Sequence, residues 1–282
     1  MTVVNEEQRR RWDEEEGAHW VAEAERFDRT LQPYGERVLA ALAPEPRERI
    51  LDVGCGNGAL SLDLAARVGP QGSVMGLDLS GPMLSLATQR AGERGLGNAA
   101  FVKGDAQVHD FGDRKFDGLV SRFGVMFFDD PVAAFVNLRG AMAGGARLAF
   151  TCWQEVLRND WLMVPAMTLM QYVPMPEMPA PGAPGPFALA DADRTRSLLE
   201  QAGWSSVNLE EVETRQWLGT DPPAVVDFLA HTEMAKTFLA NEDEDTVAKA
   251  WKAVEAALGE HTAEDGVHLT GRAWLVTARF AG

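Results

Sequence analysis

The chain has only two cysteines in 282 residues, Cys55 and Cys152. They are too few for a disulfide framework, and no cysteine or histidine spacing resembles a zinc site, so no metal is expected and a reducing compartment fits. Long apolar runs are also missing. The longest, WLMVPAMTLM at residues 161–170, is about half a membrane span and contains Pro165. The opening MTVVNEEQRRRW has no apolar core of a signal peptide. The expectation is a soluble cytoplasmic protein with no membrane partner. Basic residues are scarce: 26 Lys and Arg stand against 42 Asp and Glu, a formal charge of −16. Such a surface repels a phosphate backbone, which argues against a nucleic-acid partner. The one dense basic stretch, Arg9–Arg11, is followed by acidic residues 13–16 and reads as a solvated helix face. No feature specifies an oligomeric state.

What is present is an alternation of strand and helix patterns. Residues 5 to about 43 read as helix, with Asn5 and Gln8 spaced as a capping box and Pro33 expected to break the run. Residues 49–54 read as a buried strand and 59–68 as a helix. Further strands are expected at 73–78, 99–105, 116–122, 146–153, 205–213 and 273–281, with helices between most of them. Strands alternating with helices imply a parallel sheet covered on both faces, an α/β doubly wound architecture. The alternation is interrupted at 155–186, which includes six prolines in residues 174–186, and again at 219–268. These are read as cap insertions on a core of residues 47–282, with residues 1–46 as an N-terminal helical lid.

The stretch ILDVGCGNGALSLDLA at residues 50–65 places Gly54, Gly56 and Gly58 where a strand turns into a helix. Ligands bind such sheets at the carboxyl ends of the strands, and glycine there lets a ligand touch the main chain. Asp78 ends the next strand, where one carboxylate can accept both hydroxyls of a ribose. Gly54, Gly56 and Ala59 formally satisfy a dinucleotide fingerprint, so a nicotinamide-dependent oxidoreductase is one reading. Three features point instead to S-adenosylmethionine: Asp52 inside LDVGCGNG, Asp105 and Ala106 in KGDAQ at the third strand's end, and the long helical segment before the first strand.

With ILDVGCGNG, GLDLS, GDAQ, FDGLVSRFGVMFFDDP and GGARLAFTCW in place, the chain resembles the class I S-adenosylmethionine-dependent methyltransferases. It is most similar to the branch of ubiquinone and menaquinone C-methyltransferases and related small-molecule enzymes. The resemblance implies a Rossmann-like seven-stranded sheet of order 3-2-1-4-5-7-6, strand seven antiparallel. It implies that Gly54, Cys55, Gly56 and Gly58 carry the methionine part of the cofactor, with Asp52 near its amino group. It assigns Asp78 to the ribose, Leu79 and Met83 to the adenine faces, Asp105 and Ala106 to the adenine edge, and Ser121–Gly124, with Ser121 first, to the floor near the methyl group. An alternative is a catalytically silent protein that only binds the cofactor.

No motif names the acceptor. His19 and His231 are the weak candidates for a base. Met163, Met167 and Met170 fall on one helical face, with Met175 and Met178 following, which suits a hydrophobic ligand. With Trp12, Trp20, Phe123, Met126 and Trp153 they are expected to line the substrate side. The expected partner is a small apolar or aromatic molecule methylated at O or C.

Overall fold

A computed structural model describes residues 2–175, 180 and 182–282. The chain begins with α1 (Glu6–Arg10), a π-helical turn at Arg11–Glu15, α2 (Gly17–Ala22) and α3 (Ala24–Leu42). There follow β1 (Arg49–Val53), α4 (Ala59–Val68), β2 (Ser73–Asp78), α5 (Gly81–Glu93), β3 (Ala99–Lys103) and β4 (Phe116–Arg122). After α6 (Pro131–Gly140) come β5 (Met142–Trp153), α7 (Asp160–Leu169), α8 (Ala192–Gln201) and β6 (Ser205–Gly219). The chain closes through α9 (Pro222–Ala230), α10 (Glu233–Leu239), α11 (Glu244–Gly259), β7 (Thr262–Ala263) and β8 (Gly266–Arg279).

The sheet order is β3-β2-β1-β4-β5-β8-β6, with the short β7 paired to β8. Strands β1 to β5 pair in parallel, and β8 runs antiparallel to both β5 and β6. This is the expected order, with β8 in the place of the seventh strand. In central β1, Ile50, Leu51 and Val53 are all buried because helices cover both faces, and Asp52 is buried with them.

Two expectations shift. Pro33 does not end a helix; it sits inside α3. An interior proline costs about 3 kcal/mol. The same helix buries Leu31, Tyr34, Val38, Leu39 and Leu42 against the sheet, and each such side chain contributes about 1.5–3 kcal/mol, so packing wins. Hence α3 belongs to the main core, and only the segment before it lies over the strand ends. Second, β6 and β8 run longer than their sequence patterns suggested. Their extended parts carry Leu218, Val267 and Leu269, which form a separate apolar cluster with Leu169 of α7, Val225 and Leu229 of α9, and Ala250, Val254 and Leu258 of α11. Helices α7, α9 and α11 thus pack together as one helical cap. No described helix is long and apolar enough to cross a membrane.

Candidate active site

The three glycines of the β1–α4 turn all have positive φ: +66° at Gly54, +53° at Gly56 and +81° at Gly58. Two of them are there for packing. A Cβ on Gly54 would lie 2.6 Å from the Gly124 Cα, and one on Gly58 would lie 2.8 Å from the Ala87 Cβ. Gly56 differs: a Cβ there would meet only the Met83 sulfur, at 3.7 Å. Gly54, Gly56 and Met83 line a cavity of about 350 Å³ at the carboxyl ends of the strands.

Asp78 ends β2 beside this turn. Its Oδ2 accepts from the Gly56 N–H (2.8 Å) and its Oδ1 from the Ser80 N–H (2.9 Å). A carboxylate has about four lone-pair sites, so each oxygen keeps one for a ligand. Burial pushes the Asp78 carboxyl up, while those N–H groups pull it back toward the charged form. Leu79, Asp105 and Ala106 line the same end of the cavity. The Asp105 carboxylate is fully engaged. Its Oδ2 accepts from the Val4 and Asn5 N–H groups, and its Oδ1 from the Asn5 Nδ2 and the Gln107 N–H, all within 2.7–3.0 Å. The Asn5 side chain therefore serves Asp105 rather than capping α1, and its Oδ1 accepts from the Asp129 N–H (2.7 Å).

Asp52, Cys55, Gly58 and Ser121 do not line the cavity; they brace the turn from behind. The Ser121 Oγ donates to the Val53 carbonyl (2.7 Å) and accepts from the Gly124 N–H (3.0 Å), tying the end of β4 to β1. Asp52 is 1% exposed and accepts from the Ser61 hydroxyl at 2.5 Å. Burial raises its carboxyl from 3.8 to about 6. The folded state then binds this proton more tightly than the unfolded chain. Its stabilising effect is full below about pH 4 and lost as pH rises to about 6. Asp52→Asn keeps an acceptor for Ser61 and does not ionise. Its stability relative to the parent should rise by about 2–3 kcal/mol between pH 4 and pH 7. Urea unfolding at the two pH values checks this, and a difference that does not change with pH would refute it.

Beyond the glycines the cavity turns aromatic. Phe123 follows β4 with φ +64°, a conformation costly for a bulky residue. It is held by stacking on Trp153 (centroids 4.0 Å apart, planes at 14°) and by the edge of Tyr34 at 5.0 Å. Trp161 tilts against Trp153 at 5.0 Å. Trp20, also lining the cavity, stacks on Phe27 at 3.7 Å, and Trp12 bridges Trp20 and Phe127. Met126 also lines the cavity, but Met163, Met167 and Met170 do not. The buried face of α7 is Pro165, Ala166 and Leu169, and the methionine stripe lies away from it, with Met167 52% exposed. Met175 is 62% exposed, and Met178 lies outside the described residues.

The two histidines are far apart in sequence and adjacent in space. His19 of α2 and His231 after α9 face each other with centroids 6.2 Å apart, and His19 also stacks on Phe228. The His231 Nδ1 lies 2.8 Å from the Asp227 carbonyl, while burial lowers the proton affinity of His19. Gln216 and Arg122 also line the cavity; Arg122 falls in the stretch the resemblance assigned to the floor, while no sequence motif marked Gln216. Arg122, half-buried beside the turn, pairs with Asp28 of α3 at 3.7 Å.

Residues 50–145 match a family described as a methyltransferase domain. The aklanonic acid methyltransferase DauC of a Streptomyces species is 38% identical over 119 residues, 42% of this chain and 54% of that protein. Nocamycin O-methyltransferase of Saccharothrix syringae is 33% identical over 121 residues, 43% of each chain. The demethylmenaquinone methyltransferase of Geobacillus kaustophilus is 36% identical over 132 residues, 46% of this chain and 56% of that one. The chain thus spans about half the length of the curated relatives it matches. The solved [4+2]-cyclase SpnF superposes with a TM-score of 0.56 at 20% identity, over 88% of this chain and 81% of its own. A likeness at that identity concerns the fold, and one fold hosts several chemistries. The match to the methyltransferase-domain family falls on the segment that carries the glycine turn, Asp78, Asp105 and Phe123.

Proposed function

We propose that this chain transfers a methyl group from S-adenosylmethionine to a small aromatic or apolar acceptor, at oxygen or carbon. The observation that supports it best is one cavity joining the Gly54/Gly56 turn and Asp78 to an aromatic compartment walled by Phe123, Trp153, Trp161, Trp20 and Phe27. The cofactor's residues fit that first half: Gly56 has no side chain to obstruct a ligand, and Asp78 keeps one lone pair per oxygen for two ribose hydroxyls. Leu79 and Met83 would flank the adenine. Because the Asp105 oxygens already hold four N–H groups, the Ala106 main chain would carry more of the adenine edge than Asp105. The cofactor would supply an electrophilic methyl group on a sulfonium centre. The chain's own contribution is positioning and exclusion of water, which can account for about 7–11 kcal/mol of barrier in favourable cases. The named acceptors of the similar O- and C-methyltransferases are consistent with a small-molecule acceptor here. Cys55 and Cys152 are buried and unpaired, which supports residence in the cytoplasm.

The test is a tritium-transfer assay with methyl-labelled S-adenosylmethionine and a panel of hydroxylated naphthalenes and quinols. S-adenosylhomocysteine should appear only with an acceptor present. Failure to bind S-adenosylhomocysteine in calorimetry would overturn the reading. Binding without turnover on any acceptor would leave a silent binder.

A further inference from the structure

Eight buried side-chain nitrogen or oxygen atoms among the described residues have no hydrogen-bond partner. Only two of them belong to residues lining the cavity: the His19 Nε2 and the Gln216 Oε1. Buried polar atoms are ordinarily paired, and two unpaired ones at a cavity with aromatic walls mark places where a ligand completes the set. Each is held in position by its neighbours. Gln216 is 1% exposed, and the other end of its carboxamide is fixed on the Tyr34 hydroxyl, 3.0 Å away. Tyr34 in turn packs edge-on against Phe123 and Trp153. His19 is clamped between the Phe228 face and the Phe27 edge.

Resting on the reading of this cavity as a methyl-transfer site, we infer that Gln216 and His19 are the two polar anchors of the acceptor. The acceptor is then a flat aromatic molecule bearing at least two neutral hydroxyl groups. The stacked walls select the ring. The two anchors stand on different elements, β6 and α2, so they reach separate polar groups of the acceptor. The cations at the cavity argue against a carboxylate: Arg11 pairs with Glu16, Arg122 with Asp28 and Lys236 with Glu233. The charged and titratable groups acting on His19 are Glu23, His231, Lys236 and Arg26, from α2's own end, the cap and α3. A hydroxyl donates to the Gln216 Oε1 and another to the imidazole nitrogen. A methyl ether on the same ring cannot, and would leave both anchors unpaired.

The experiment is a titration of tryptophan fluorescence at saturating S-adenosylhomocysteine, since Trp12, Trp20, Trp153 and Trp161 line the cavity. The three ligands used are 2,7-dihydroxynaphthalene, 2,7-dimethoxynaphthalene and 2,6-naphthalenedicarboxylate. The parent should bind the diol at least about tenfold tighter than the dimethoxy compound. Gln216→Met and His19→Phe, which keep volume and stacking, should each weaken the diol about five- to tenfold and change the dimethoxy compound less than about twofold. The inference falls if the parent shows no preference, if neither naphthalene binds, if the dicarboxylate binds tightest, or if the variants weaken both naphthalenes in parallel. The parent comparison needs no variant, so it stays decisive if Gln216→Met does not fold. Calorimetry with S-adenosylhomocysteine separates the two readings. Intact cofactor binding without diol preference overturns the anchors alone, and no cofactor binding overturns the methyltransferase reading first.

Discussion

Asp78→Ala should lower affinity for S-adenosylhomocysteine by about 100-fold. Hydrogen bonds to a charged group contribute about 1.5–3 kcal/mol each, and two ribose hydroxyls at the lower figure give about 3 kcal/mol, a hundredfold. The side chain sits beside Gly56 and lines the cavity with its oxygens only half used. Alanine also strips the Gly56 and Ser80 N–H groups of their acceptor, which loosens the turn that carries the ligand. Asp78→Asn separates the two contributions. Its single carbonyl oxygen still accepts, but the amide offers no second acceptor, so an intermediate loss of about tenfold is expected. Isothermal titration with S-adenosylhomocysteine gives the numbers, and thermal melts report whether the fold is intact. Affinity within about threefold of the parent in Asp78→Ala would remove this carboxylate from the ribose site.

The sheet was legible in the sequence because its central strands β1, β2 and β4 are mostly buried and the strands are separated by turns rich in glycine and proline. ILDVG and SVMGLD could be placed to within a residue for that reason. The cofactor end was legible because close backbone approach demands glycine, and glycine is visible in a string. Even so, the string could not show that Gly54 and Gly58 make room for Gly124 and Ala87, while a side chain at Gly56 would meet only the Met83 sulfur and Gly58 does not reach the cavity at all. Other features depended on partners distant in the chain. Asn5 looked like a cap because its local spacing fits one; a carboxylate a hundred residues away takes its side chain instead. Gln216 lies in a strand whose pattern gives no hint that Tyr34 holds one end of its amide. The methionine stripe of α7 has helical spacing, yet the opposite side of that helix meets the cap. Periodicity reports that a face exists, and only tertiary packing decides which face is covered.

On the proposed reading, removing residues 1–22 should leave a folded protein that has lost at least about 99% of methyl transfer, because Trp12, His19 and Trp20 line the cavity and their loss would open it to water. Folding should survive since the core contribution of the N-terminal region comes from α3, whose buried Leu31, Tyr34, Val38, Leu39 and Leu42 all lie beyond the cut. The segment itself is fastened at a few points. Val4 and Asn5 hang on Asp105, Asp13 accepts from the Gly81 N–H (2.8 Å) and pairs with Lys103 (2.6 Å), and Trp12 rests against Phe127. Asn57 donates to the Trp20 carbonyl, Trp20 stacks on Phe27, and His19 sits between Phe27 and Phe228. Since none of these contacts is part of the sheet's hydrogen-bond ladder, the segment can open more cheaply than the sheet can unfold, and hydrogen exchange should show residues 4–22 gaining protection when S-adenosylhomocysteine is added. Asn5→Ala tests the fastening without touching the cavity's aromatic wall. It removes the Nδ2 donor to Asp105 and the acceptor for the Asp129 N–H, and it should speed exchange over residues 4–16 while leaving that of β1 and β4 unchanged. Full activity in the truncated protein, or equal protection with and without cofactor, would make the segment a static appendage. The closing element would then have to be sought in the cap formed by α7, α9 and α11.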